Sequence, residues 1–262
     1  MATKKTNTTV AKVEAPGALA RPDFIPASHE GRSHMTREDV VIPGLAIAQQ
    51  LSPQLIESDP KFIDGLKAGE MFNTLTKQIV GKGPIQFHIV KATRPRWMEF
   101  IPREQGGGIK DFNVPANDPR TQWGENGEKP VATKIYDFLI VPSPFDPSAG
   151  MLNSVLALSM SNSKVKVAKG LNSLIQGTGA AVYAGLYEVS TFLDSNAKKQ
   201  SFHNYRVTYK GGSQNPTFVQ TPEEFAFLKS LYENMKDRDV NIHEDAREAG
   251  DDTGDEDTRS DM

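Results

Sequence analysis

The chain has 262 residues, a formal net charge of −3 and no cysteine. That length allows one large domain or two small ones. The missing thiols exclude disulfides, cysteine nucleophiles and cysteine-ligated zinc, iron–sulfur or copper sites. The five histidines, His29, His34, His88, His203 and His243, are scattered with no two at i, i+4, so no metal and no other cofactor is expected. No stretch approaches about 18 consecutive apolar residues, so no membrane contact is predicted. The opening MATKKTNTTVAKVEAPGALARP carries lysines but no apolar run, unlike a secretory leader. The cytoplasm is the expected location.

Residues 1–39, rich in Thr, Ala and Pro, have no apolar period and are expected to form a disordered arm. From Val40 the pattern changes. VVIPGLAIAQQL reads as a first strand broken at Pro43-Gly44, and GEMFNTLTKQIV (69–80) as a second. After a turn at GKGP, the run 85–101 reads as one long bent strand. Ile85, Phe87 and Ile89 alternate with Gln86 and His88, and Pro95 predicts a bulge or an edge. Residues 102–132 read as a long polar loop, a length usual in functional segments. Two apolar strands follow at 133–141 and 154–161, joined by PSPFDPSAG. The spacing of Val167, Leu171, Leu174 and Ile175 predicts a helix over 163–176, capped by Ser161 or Ser163. Strands at 183–193 and 201–209 flank a turn at DSNAKK. A last helix over 221–236 opens with Thr221 as N-cap, Pro222 at the first helical position and Glu224 completing a capping box. About seven strands and two helices without regular alternation predict a mainly β fold. The expectation is an antiparallel barrel with helical additions, a single domain over 40–236.

The net charge hides an asymmetry. From Asp237 to Met262 there are eleven acids and three arginines, net −8, while residues 1–236 carry 27 bases and 22 acids, net +5. The segment 237–262 reads as a disordered acidic tail on a mildly basic body.

Catalytic patterns are weak. Ser161-x-x-Lys164 and Lys210-Gly-Gly lack the middle motif of the penicillin-binding acyltransferases. Asp137 and Glu188 lack a third acid or a lysine at nuclease spacing and are expected to face solvent. Gly106–Gly108 has no preceding strand and no following Gly-Lys-Ser/Thr, so it is not a phosphate cradle. Gly177-Thr-Gly follows a helix where a dinucleotide fingerprint follows a strand. No enzyme is predicted, and no catalytic residue.

Charge interleaved with aromatic rings remains. Between Lys77 and Lys110 lie seven bases, among them Lys91, Arg94, Arg96 and Arg103, with two acids, and Trp97, Phe100 and Phe112 are set among them. The loop adds Arg120 and Trp123, and the first helix adds Lys164, Lys166 and Lys169 without an acid. A basic groove with aromatic platforms suits single-stranded nucleic acid, because phosphates meet Lys and Arg and bases stack on rings at about 1–3 kcal/mol each. The candidate nucleic-acid-binding residues are therefore Lys91, Arg94, Arg96, Trp97, Arg103, Lys110, Arg120, Trp123, Lys164, Lys166 and Lys169. The tail acids Asp251, Asp252, Asp255, Glu256, Asp257 and Asp261 are candidates for a tethered competitor held at high local concentration.

With AGEMFNT (68–74), RPRWMEFIPREQGGG (94–108) and YEVSTFLDSNAKKQSFHNYRV (187–207), the chain resembles bacteriophage single-stranded DNA-binding proteins of the T7 type, which carry an OB-type barrel and an acidic C-terminal tail. The resemblance covers roughly 40–210. It implies an OB-like barrel, binding of single-stranded DNA without sequence preference, a role in phage DNA replication or recombination, and the host cytoplasm as location. It also implies self-association or contact with replication or recombination proteins through the tail. Such tails commonly end on phenylalanine. This one ends Arg259-Ser260-Asp261-Met262, which favours competition for the groove over docking into a partner. The alternative is a virion structural or assembly protein acting through protein–protein contacts.

Overall fold

The computed structural model of the protein describes residues 41–102, 105, 108–145, 155–196, 199–212, 215–237 and 242. The expected arm 1–39 lies outside them. The described elements run β1 (Leu45–Ile47), β2 (Met71–Asn73), β3 (Ile79–Gly81), β4 (Ile85–Ala92), β5 (Arg96–Phe100), β6 (Ile109–Val114), β7 (Ala132–Ser143), β8 (Leu156–Ser161), α1 (Val165–Gly177), β9 (Tyr187–Ser195), β10 (Ser201–Tyr209) and α2 (Pro222–Met235). The fold is mainly β with two helices. Strands β1–β3 form one antiparallel sheet and the other seven a second.

In the larger sheet, β7 is the spine. Along one edge it pairs with β8. Along the other it pairs with β4 through its C-terminal half and with β5 through its N-terminal half. The predicted bent strand 85–101 is thus β4 followed by β5. Its register against β7 slips between Ile89 and Lys91, and the pairing breaks again across Thr93–Pro95, where proline cannot donate to the ladder. Beyond β4 come β9 and then β10, and beyond β5 comes β6. The expected loop 102–132 therefore contains a strand, IKDFNV, and a short 3-10 turn at Pro119–Thr121. Its polar composition hid a strand that is largely exposed on one face.

Side-chain alternation divides the core in two. Phe87, Ile89, Phe138, Ile140, Leu156, Leu158 and Met160 face Val165, Ala168 and Leu171 of α1 and Leu45, Ile47 and Met71 of the small sheet. Val90, Leu139, Val141 and Ala157 face Leu228, Leu231 and Met235 of α2. With both faces covered, β8 is buried along its whole length and its alternation disappears from the sequence.

Helix α1 touches β7, β8 and β10, strands from opposite ends of the sheet, so the sheet curls around it. The segment 43–49 reaches both edges. Ala157 N donates to Pro43 O on β8, and the Gln49 side chain exchanges two bonds with the His203 backbone on β10. No ladder joins β8 to β10 among the described residues, so the OB-like closure expected above is not a continuous hydrogen-bonded barrel there.

Several boundaries differ from expectation: the strand expected over 69–80 is two short strands, β2 and β3, either side of a turn, and β9 begins at Tyr187 and not at 183. Helix α1 begins after a 3-10 turn at Asn162–Lys164 and its N-cap is Lys164, with no side-chain cap bond, so neither Ser161 nor Ser163 caps it. At α2 the Thr221 hydroxyl accepts from Glu224 N, as its sequence predicts. Ile242, inside the expected tail, is buried and bridges to Ile42. The apolar side chain of Ile242 fills the α2-side core, so the folded body extends to it.

Candidate nucleic-acid interface

The candidate bases divide by what they touch. Lys91 Nζ donates to Met235 O, 2.9 Å, at the C-terminal end of α2, where a cation meets the negative end of the helix dipole. Arg96 Nη2 lies 2.9 Å from Asp137 Oδ2, and Ser159 Oγ donates to the other carboxylate oxygen at 2.6 Å. Asp137 is 1% exposed, so the expected solvent-facing position is corrected. Its place opposite Ser159 turns it toward the α2-side face, where Arg96 neutralises it.

Arg120 is the centre of a second network. It sits in the 3-10 turn after β6, where Asp118 caps its backbone N–H and holds the guanidinium through Nε at 2.9 Å and Nη2 at 2.8 Å. Its Nη1 reaches Glu99 Oε2 at 2.7 Å and Asp111 Oδ2 at 3.1 Å. Glu99, buried on β5, also accepts from Lys110 Nζ. Lys110, then Arg120, hold the Glu99 carboxyl below its usual range. Arg120 draws Asp118 down to about 2, and these carboxylates keep the guanidinium charged. The network fastens the loop after β6 onto β5.

Lys164 is buried at the start of α1, 2% exposed, whereas Lys166 is exposed and Lys169 half-buried. Arg94 is exposed beside Pro95, in the bend between β4 and β5. Trp123 is half-buried. Arg103 and the tail acids Asp251, Asp252, Asp255, Glu256, Asp257 and Asp261 lie outside the described residues.

Trp97 is half-buried on β5, paired directly with Lys134 of β7. Lys134 Nζ stands 5.7 Å from the Trp97 ring centre and 5.8 Å from that of Tyr136, two residues along the same face. A cation thus lies between two rings, within the roughly 6 Å at which the ring quadrupole attracts it. Arg94 adds an exposed base at the adjoining bend. Sequence reasoning missed Lys134 and Tyr136, because their meeting with Trp97 depends on the register of two strands far apart in the chain. It also missed Arg206, whose guanidinium lies 4.8 Å from the Phe192 ring centre. The hairpin register could have found that pair, since Phe192 faces Asn204 and Arg206 is two residues on. Among the described residues no helix is long and apolar enough to cross a membrane, and no group of three His, Asp or Glu is placed to hold a metal.

A family model for the Pam3 phage gp34-like protein matches residues 12–241. The chain belongs to that phage family. The match spans every strand and helix from β1 to α2 and stops before the tail acids. No curated protein and no solved structure matches the chain.

Proposed function

We propose that this member of the phage family binds single-stranded DNA without reading its sequence, in support of phage DNA replication or recombination in the host cytoplasm, and catalyses no reaction. The observation that carries the reading is Lys134 held between the rings of Trp97 and Tyr136, with Arg94 exposed at the adjoining bend. Phosphates are attracted by the cations while a base stacks on the half-exposed indole. The curled antiparallel sheet with α1 against its inner face supports an OB-like relationship. In this reading the tail acids compete with DNA for the basic surface, and the tail or a second copy of the chain supplies protein contacts.

The test is a titration with oligo-dT read by tryptophan fluorescence and by mobility shift. With about five phosphates neutralised, affinity falls roughly a hundredfold between 50 and 200 mM salt. No signal change and no shift at 50 mM salt overturn the reading.

A second reading, a virion structural or assembly protein, draws support from the candidate bases themselves. Lys91, Arg96, Lys110 and Arg120 all bond within the chain, while Leu51, Val131 and Leu193 are exposed. It predicts co-sedimentation with phage particles and no response to oligo-dT.

A further inference from the structure

Strand β9 pairs with β4 only at Tyr187–Val189, whereas β9 and β10 pair with each other along their whole length. From Ser190 to the turn the two strands form an arm standing clear of β4. The arm is braced. Thr191 Oγ1 donates to Gly69 O, and Gln49 holds the backbone of His203. Between this arm and α1 runs an open groove of about 340 Å³, lined by Val167, Gly170, Leu174, Phe192, Arg206 and Val207, with Tyr205 at its base.

Three features of the groove are poorly explained by folding alone. Gly170 sits mid-helix, where glycine costs about 1 kcal/mol relative to alanine, yet a Cβ there would meet nothing within 4 Å. Lys166, one turn earlier on the same side, is a base in the first helical turn, where the dipole disfavours it. Arg206 is exposed and lies over the Phe192 ring. Local choices that work against the fold are expected where a site is being served.

We propose that this groove holds one nucleotide of a bound single strand, its base against Phe192 and the Arg206 guanidinium and its phosphate toward Lys166. The inference rests on the single-stranded-DNA reading above and adds a second contact to the Trp97 surface. Charge complementarity selects the occupant. From Ser161 to Tyr187 there is no acid, and among the described residues lining the groove Arg206 is charged and none is acidic. Rings and guanidinium planes are the surfaces on which unstacked bases lie.

Gly170→Leu tests the space, because the open surroundings of that Cβ let the helix accept it. Its thermal midpoint should equal or exceed that of the parent, while its affinity for fluorescein-labelled oligo-dT falls about tenfold, the loss of one stacked base. Arg206→Gln, at an exposed position, should weaken binding with little change in salt slope, whereas Lys166→Gln should lower the slope by about 0.7, one phosphate on a single strand. An abasic oligonucleotide should bind the parent and Phe192→Leu equally. If the parent binds oligo-dT and the Gly170 and Arg206 variants match it, the groove assignment is overturned while the functional reading stands. If the parent does not bind, both fall. An abasic strand bound by the parent as tightly as oligo-dT overturns the placement of the base.

Discussion

Gly185 and Tyr187 are fitted to each other. A Cβ at position 185 would stand 2.5 Å from the Tyr187 hydroxyl oxygen and 2.7 Å from Cζ, in a ring that is fully buried and stacked against Tyr209. The hydroxyl has no hydrogen-bond partner among the described residues, and burial pushes its pKa well up. Gly185→Ala should therefore destabilise by about 1–3 kcal/mol through overpacking, read as a shift of the urea midpoint. Tyr187→Phe removes a buried, unpaired hydroxyl and should be neutral or stabilising within about 1 kcal/mol. It should also relieve part of the Gly185→Ala penalty, since the two sites are in contact. Equal penalties in the two backgrounds would show that the ring or the backbone, and not the hydroxyl, sets the cost.

The Arg120 network predicts an acid limb. Asp118 and Glu99 have folded-state pKa values below their unfolded ones, so their contribution is present above about pH 4 and is lost as pH falls toward 2. Asp118→Asn should lower the melting temperature at pH 7 and flatten its fall between pH 4 and 2. Arg120→Gln leaves buried Glu99 with Lys110 alone and should cost more, several degrees at pH 7, than Lys110→Gln.

His88 acts in the same direction at higher pH. Burial lowers its pKa, against the pull of the Gly185 carbonyl 2.9 Å from Nδ1 and the charge of Glu224. With the carbonyl accepting, Nδ1 carries the proton of the neutral ring. The unfolded chain then binds a proton that the folded chain resists, so stability falls as pH drops below about 6.5. Between pH 7.5 and 5.5 the melting temperature of the parent should fall, and that of His88→Gln should fall less.

Trp97→Ala should weaken oligo-dT binding by roughly five- to a hundredfold and remove most of the fluorescence change, with Trp123 left as the only indole. Removing residues 244–262 should tighten binding at low salt if the tail competes for the basic surface. The cut falls beyond Ile242 because that side chain belongs to the core. A truncated chain that binds no better than the full one would exclude competition.

Much of the architecture was legible in the residues. A period-2 run placed β4 and an apolar run placed β7, Pro95 marked the bend, and the apolar stripes of α1 and α2, with Thr221 capping α2, placed both helices. These signals are local, carried by propensity and alternation over a few residues. Strand β6 escaped because it lies at an edge with little to bury, and the cap of α1 because a 3-10 turn intervenes.

The sequence alone determined a mainly β body with two helices, without cysteine, and with opposite charge on body and tail. Composition and short-range pattern suffice for that. Only the tertiary structure decided which bases are spent on Glu99, Asp111, Asp118 and Asp137 and which face outward, because an ion pair depends on which distant strands become neighbours. The same long-range register brought Lys134 to Trp97 and set α1 beside the hairpin arm, leaving the space at Gly170 open.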